Sequence, residues 1–509
     1  MKFKQVAGIA MGVCLSACAF GCGDTTDPET PKGEWDDFVE FSTVWNEGES
    51  KTFATGESYT LKLNADFSDK NYLKFDYSTT CYLDGVMSFT EKDGSKKYEE
   101  RFFLRKDETC FRQILDYYGN YKFDKVLTEI TLTCVGGSGG EFKLDTVSAA
   151  THPIDFASAD LTNPALVEDS MQLYITGNEC KLGMTLKSGG CINYVSSIGN
   201  GVHLYEEPNG YLSVGHSSTS GTVLKEDDVN LINAHDTGRF VQQSYYGTQK
   251  DPNYECGTFL HDGVNEIEWA YNPVQGGDKS NTPSQIVDVC YTPTKIYVKT
   301  RPGDWAKPKA LTLFYMENVY EIVEDEVYGE YIRVENYGTD FSGYTHGTPR
   351  DQELPAFYGA AALPTLATYK NTKPWTNDSI QYEKNLPFWS GATATNATRF
   401  KASENWIAWI NEENWGIGLY VPDVVNMLSG RMMVLDLDKT VGVKEPSLQN
   451  STTYTAPLAQ FSMPNYVTFS YTYYLKLDYV QSSRAFFTSL HDDGAENPTL
   501  VKLVQGALK

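Results

Sequence analysis

From Val467 to Tyr479 the chain alternates. Val467, Phe469, Tyr471, Tyr473, Leu475, Leu477 and Tyr479 are interleaved with Thr468, Ser470, Thr472, Tyr474, Lys476 and Asp478. A period of two held over this length predicts a long strand with one face on a core. Shorter runs repeat the pattern: Leu73, Phe75 and Tyr77 around Lys74 and Asp76, then Ile130, Leu132 and Cys134 around Thr131 and Thr133. No stretch of comparable length keeps apolar residues at a 3.6-residue spacing, so the predicted fold class is all-β and mostly antiparallel.

Turn chemistry divides the chain. Between residues 38 and 150 short alternating runs are punctuated by Lys92-Asp93-Gly94 and Gly136-Gly137-Ser138-Gly139-Gly140, the pattern of a small β-sandwich, and the segment loosely resembles a carbohydrate-binding jelly-roll module, which implies a jelly-roll-like sandwich that binds carbohydrate. Residues 151–170, with Thr151-His152-Pro153 and Thr162-Asn163-Pro164, read as a linker. From 171 to 490 the strands lengthen and aromatic and glycine motifs grow denser, predicting one large antiparallel domain, with 491–509 as a C-terminal tail. No internal repeat of fixed period is present.

The N-terminus predicts an address. Met1-Lys2-Phe3-Lys4-Gln5 is basic, and residues 6–17 are apolar but too few to span a bilayer, as in a cleavable export signal. Leu15-Ser16-Ala17-Cys18 resembles a bacterial lipobox, with Ala19-Phe20-Gly21-Cys22 as a second version, so residues 1–22 predict a lipoprotein acylated at Cys18 or Cys22. Residues 23–37, polar and acidic, then act as a tether. The expected location is the bacterial cell envelope, at the outer membrane or cell surface, held to the bilayer by acyl chains alone. In that oxidising setting the local disulfide candidates are Cys180 with Cys191 and Cys256 with Cys290.

Composition narrows the partner. Lys and Arg total 42 against 67 Asp and Glu, a formal charge of −25, and no basic run exists, which excludes nucleic acid as a partner bound by counterion release. The 34 Tyr, 25 Phe and 9 Trp of the 509 residues are the unusual feature: such rings suit either an aromatic core or stacking on the C–H faces of sugars. No CxxC or HxxxH spacing occurs, so no metal site is expected. No cofactor is required, and a Ca²⁺ site built from scattered carboxylates stays open.

Four polar-aromatic segments carry the candidate chemistry: residues 233–247, 269–278, 299–305, and 350–358 with 403–406. Vicinal hydroxyls are gripped by carboxylates, amides and guanidinium groups beside an aromatic platform, and glycosidic cleavage adds a carboxyl pair. The candidate catalytic residues are Glu353 and Asp236, with Asp278 and Glu404 as substitutes. The candidate substrate-binding residues are His235, Arg239, Gln242, Gln243, Tyr245, Tyr246, Trp269, Gln275, Arg301, Trp305, Gln352 and Trp406. Each also fits a plain structural role: Asp236 with Arg239 as a buried pair, Asp278 closing a turn after Gly276-Gly277, Glu404 capping an element beside a core Trp406.

Residues 171–200 resemble the opening of the galactose-mutarotase-like supersandwich, the fold of many polysaccharide lyases and of accessory domains in glycoside hydrolases. The segments NLINAHDTGRFVQQSYYG (230–247), WAYNPVQGGD (269–278) and RDQELPAFY (350–358) are similar to uncharacterised secreted bacterial proteins of that type. The resemblance covers about residues 170–490 and implies a supersandwich after the N-terminal sandwich. Mutarotases use a His and a Glu; His235 and Glu353 match in type, without a surrounding motif that transfers the roles. The expectation is an exported, membrane-anchored protein that hydrolyses an extracellular polysaccharide. The alternatives are a glycan-binding lipoprotein without catalysis and a lyase with a Tyr or His base, using Tyr245, Tyr246, His235 and Arg239. The net charge favours a neutral glycan over a polyuronate unless the cleft is locally positive.

Overall fold

The alternation near the C-terminus becomes the strand Thr468–Tyr479, which buries Phe469, Tyr471, Tyr473 and Leu475 and lies in the interior of a nine-stranded antiparallel sheet. The computed structural model describes Trp35 and residues 37–504, apart from 107, 116–123, 157–170, 209, 211, 234–237, 249–253, 262–264, 385, 387–397 and 434–450. The order of the nine strands is Gln285–Tyr291, Lys295–Arg301, Phe314–Asp325, Gly329–Asp340, Thr468–Tyr479, Trp415–Tyr420, Trp406–Ile410, Thr365–Thr368 and Gln381–Lys384. A seven-stranded antiparallel sheet packs against it, ordered Gly303–Asp304, Pro273–Val274, Gln242–Ser244, Arg350–Gly359, Ser451–Phe461, Asn426–Met433 and Thr398–Lys401. Their inner faces interlock: the Phe461 and Phe469 rings are 5.3 Å apart, Tyr245 and Phe469 are 5.2 Å apart, and Trp409 Nε1 donates to Thr455 Oγ1 at 3.0 Å. The architecture is the all-β sandwich expected from the period-two pattern.

Two smaller sheets form the N-terminal sandwich. One pairs Ser42–Trp45 and Glu49–Phe53 with Gly140–Ala150, followed by Tyr72–Thr79 and Cys110–Ile114; the other is ordered Ser58–Asp66, Lys125–Val135, Tyr82–Glu91 and Lys97–Leu104. Leu73, Phe75 and Tyr77 from one sheet meet Phe89, Phe102, Ile130 and Leu132 from the other. This core continues into the nine-stranded sheet through Val287, Tyr315 and Phe341, with Phe103 stacked on Phe341 at 5.3 Å. Three cross-junction ion pairs accompany the contact: Arg112 with Asp288 at 2.9 Å, Arg105 with Glu317 at 3.3 Å, and Arg301 with Glu100 at 3.5 Å. Arg301, expected to hold substrate hydroxyls, is used here instead. Trp35, at the end of the predicted tether, is buried against Tyr297.

The sequence pattern showed no helix, yet Val480–Asp492 is helical and is followed by a short helix Pro498–Leu503 inside the expected tail. The first helix buries Val480, Phe486 and Phe487 against Trp406 and Tyr420, and its N-cap residue Tyr479 makes no side-chain capping bond. With few apolar residues and no cap, its signal is lost in the strand that precedes it.

The expected disulfides are not seen: Cys180, Cys191, Cys256 and Cys290 are free thiols in the structure. In the hairpin that holds them, Cys180 faces Ser197 and Cys191 faces Thr185, at opposite ends of the pairing. Cys256 Sγ lies 3.9 Å from the Tyr254 carbonyl, while Cys290 Sγ is 3.7 Å from Tyr72 Oη. For Cys180 and Cys191, closeness in sequence misled because an extended hairpin separates its two ends. The lipidation candidates Cys18 and Cys22 lie outside the described residues, and no described helix is long and apolar enough to cross a membrane.

Candidate functional site

The outer face of the seven-stranded sheet carries an open cavity of about 340 Å³. Strand pleating explains its floor. In Arg350–Gly359, Leu354 points into the core, while Asp351 and Glu353 take the other face. On the adjoining strand Leu458 pairs with Glu353 and Gln460 with Asp351; farther along the sheet Leu428 pairs with Arg399. All six line the cavity. Register slips between Glu353 and Phe357, a bulge at Pro355, which has no N–H to offer the ladder. Tyr246 and Gly247 form an aromatic wall together with Trp269, Ala270 and Tyr271, which lie at and beyond the end of the hairpin of Gly257–His261 and Asn265–Trp269.

Glu353 is buried at the floor, where the Tyr454 hydroxyl donates to its carboxyl and the hydroxyls of Ser244, its cross-strand partner, and Tyr246 stand nearby. Burial pushes its carboxyl above the ordinary glutamate range; the three hydroxyls pull the other way and do not offset it. Asp351, two residues away on the same face, is ion-paired with Arg399. The two carboxyls thus stand in different surroundings, one desolvated among hydroxyls and one beside a guanidinium.

The aromatic wall is held in place. Tyr246 and Trp269 have ring centroids 6.0 Å apart at an interplanar angle of 55°. With its amide oxygen turned to the indole, Asn272 accepts from Trp269 Nε1 and donates to the Tyr245 carbonyl. From the core side, Gln352 accepts from the Tyr246 backbone N–H at 2.6 Å and donates to the Tyr246 and Phe461 carbonyls at 2.9 and 3.1 Å. Gln352 therefore fixes the platform from behind and does not face the cavity.

Of the residues predicted from sequence, the structure brings Glu353, Tyr246 and Trp269 together in this cavity. Arg239 is close by, beside Tyr358, whose ring packs at a tilt against Tyr454 with centroids 4.7 Å apart. His235 and Asp236 lie outside the described residues. The others do not reach the cavity. Asp278 closes a turn, with Oδ1 accepting from the backbone N–H of Ser280 and Thr282 at 2.8 and 2.9 Å and Oδ2 from that of Lys309 at 2.6 Å. Glu404 is buried with Arg484 and accepts from Trp406 Nε1 at 2.6 Å, which also makes Trp406 a core residue. Gln242, Gln243, Tyr245 and Gln275 stitch the interior: Tyr245 Oη donates to Gln243 Oε1 at 2.6 Å, Gln275 Nε2 to the Gly189 carbonyl at 3.0 Å, and Gln242 Oε1 accepts from Gly276 N at 2.8 Å. Trp305, half-buried, donates its backbone N–H to the Asn272 carbonyl at 2.9 Å. In each case a polar residue in an aromatic segment satisfies buried backbone or amide groups, a demand as strong as any ligand's.

Sequence reasoning passed over Asp351, Arg399, Gln460 and Tyr454. Asp351 was legible from its i, i+2 spacing to Glu353; the others come from distant strands and leave no local signal. Among the described residues, no group of three or more His, Cys, Asp and Glu is placed to hold a metal ion.

Behind the Tyr271 wall, Tyr254 packs on Tyr271 at 5.1 Å and donates its hydroxyl to Asp304, a buried residue whose carboxyl is pushed up to about 6, chiefly by burial. The folded protein therefore holds this proton more tightly than the unfolded chain, whose reference value is 3.8. The resulting stabilisation is complete below about pH 4 and lost as pH rises to about 6, on the order of 3 kcal/mol in all. Urea unfolding across that window should show wild type losing stability relative to Asp304→Asn as pH rises, because the amide stays neutral while the carboxyl ionises; a constant difference would refute the assignment.

No protein-family model matches the chain, and no curated protein matches it. Among solved structures, a 4-alpha-glucanotransferase from Thermococcus litoralis matches at 9% identity with a TM-score of 0.27, over 60% of this chain and 39% of its own length. A mutarotase candidate, YeaD, from Salmonella typhimurium matches at 7% identity and the same TM-score of 0.27, over 60% of this chain and 90% of its own. Likenesses at this level leave the function to be argued from the chain's own site.

Proposed function

We propose that the cavity on the seven-stranded sheet binds a saccharide chain and hydrolyses it, with Glu353 as general acid and Asp351 as the second carboxylate. The observation that carries this reading is the pair itself: two carboxyl groups on one sheet face, in contrasting environments, beneath an aromatic wall. The backbones of residues i and i+2 of a strand are about 6.6 Å apart, a base from which two carboxyl groups can reach the separation of about 6.5–9.5 Å that leaves room for a water in inverting glycosidases. A desolvated, protonated Glu353 can give its proton to a glycosidic oxygen, while Asp351, oriented by Arg399, can activate the water. Trp269 and Tyr246 offer ring faces to the sugar. Export and acyl anchoring at Cys18 or Cys22 belong to the same proposal, since they would place the site where polymeric glycans are met.

A second reading is a glycan binder without catalysis. It is favoured by the Tyr454 hydroxyl, which already engages the Glu353 carboxyl. Reducing-end release from a panel of neutral and acidic polysaccharides, run beside a binding assay on the same panel, separates the two. Binding without new reducing ends supports the binder, new reducing ends support hydrolysis, and unsaturated ends would mark a lyase. Under either saccharide reading Trp269→Ala should weaken binding about tenfold, or ~1.4 kcal/mol, measured by titration calorimetry. Unchanged affinity would remove the Trp269 platform.

A further inference from the structure

The N-terminal sandwich crosses between its sheets twice at one end. Thr80 and Cys81 carry the chain from Tyr72–Thr79 in one sheet to Tyr82–Glu91 in the other, and residues 136–139 carry it back from Lys125–Val135 to Gly140–Ala150. The crossovers are tied together. Thr80 N donates to the Glu141 carbonyl at 2.9 Å, and Glu141 N donates to Thr80 Oγ1 at 2.8 Å. Cys134 exchanges backbone bonds with the nearby turn, its N–H reaching the Glu57 carbonyl at 3.0 Å and its carbonyl accepting from Gly56 N at 2.9 Å.

A thiol stands on each side of this junction. In the paired strands Leu83 opposes Cys134 and Tyr82 opposes Val135, so Cys81, two residues before Leu83, lies diagonal to Cys134. Both are buried in the same apolar core. Cys81 abuts the second crossover directly: a methyl group on Gly140 would come within 2.8 Å of its Cβ. Burial, and after it the adjoining Cys81 thiol, pushes the Cys134 thiol up to about 12.

We propose that Cys81 and Cys134 are the disulfide-forming pair of this protein, and that their bond clamps the two crossovers of the N-terminal sandwich when the chain matures in an oxidising compartment. The oxidant is a disulfide, of a small molecule or of an exchange protein. One cysteine thiolate attacks it, forming a mixed disulfide and releasing one thiol. The second cysteine, deprotonated, displaces the other thiol and closes the Cys81–Cys134 bond. The two protons end on the released thiols, and the oxidant takes up the electron pair. Attack requires the thiolate, so the folded core resists the exchange and the bond forms during folding.

The test uses the full chain, recovered after export to an oxidising compartment and, separately, refolded in a glutathione redox buffer. Free thiols are alkylated and the digest is mapped without reduction. The expected result is one cross-linked peptide joining residues 81 and 134, with Cys110, Cys180, Cys191, Cys256 and Cys290 alkylated, and a thermal midpoint a few degrees above that of the reduced protein. Cys81→Ser and Cys134→Ser should each remove the cross-link and the thermal difference. Alkylation of both Cys81 and Cys134 in cooperatively folded protein from both preparations overturns the proposal, as does a cross-link to any other cysteine. Should the serine variants fold poorly, Cys81→Ala and Cys134→Val keep the apolar core and give the same readout.

Discussion

Glu353→Gln is expected to lower the turnover of glycan hydrolysis by about 10²- to 10⁴-fold, the range lost when a positioned general acid is removed. The substitution keeps the shape of the side chain and an oxygen to accept from Tyr454, so folding and saccharide binding should change little. Because burial raises the Glu353 carboxyl, its acidic form persists above the ordinary glutamate range. The wild-type rate should fall as pH rises through that elevated value, and the variant should lose this alkaline limb. Asp351→Asn should also lower turnover, because it removes the carboxylate assigned to activate the water. Initial rates of reducing-end release against pH, with a thermal melt of each variant, provide the measurement. A Glu353→Gln protein with wild-type turnover would end the acid assignment and leave the cavity as a binding site.

Arg484→Ala should be the most destabilising single change near the C-terminus. Arg484 Nη2 and Nε meet Glu404 Oε1 and Oε2 at 2.6 and 2.9 Å, and both side chains are buried. The guanidinium also lies 4.7 Å over the Tyr369 ring. Glu404 additionally accepts from Trp406 Nε1 and from the Trp375 backbone N–H at 2.7 Å, so the pair holds the helix Val480–Asp492 to the edge of the nine-stranded sheet. Removing the arginine leaves a carboxylate in the interior without its counter-charge, a loss of about 3–5 kcal/mol. Against a typical stability of about 5–15 kcal/mol this is a large share. Urea midpoints should show it, and Arg484→Met combined with Glu404→Gln should recover much of the loss, since no charge is then stranded. Equal stability of Arg484→Ala and wild type would contradict the buried-pair account.

These two residues show how far the primary structure could be read. Glu404 and Glu353 look alike in sequence, each a carboxyl among aromatic and amide neighbours. One ends against Arg484, 80 positions away, and the other at the floor of an open cavity. Asp278, Gln243 and Gln275 repeat the point: their polar groups satisfy turn and backbone atoms that only the folded chain brings near. The cysteines repeat it again, since neighbours in sequence are held apart by a hairpin while Cys81 and Cys134 converge through a crossover.

What followed from the chain alone was the all-β character and, strand by strand, which side chains turn inward: Phe469, Tyr471, Tyr473 and Leu475 in one strand, Leu73, Phe75 and Tyr77 in another. That information is local, because a pleated backbone sends successive side chains to opposite faces whatever it packs against. Which strands would be neighbours, and in what register, was set only when the sheets assembled. Register placed Leu458 and Gln460 opposite Glu353 and Asp351, and sheet order carried Arg399 to Asp351. Such pairings arise from the mutual burial of faces contributed by distant segments, so no window of sequence contains them.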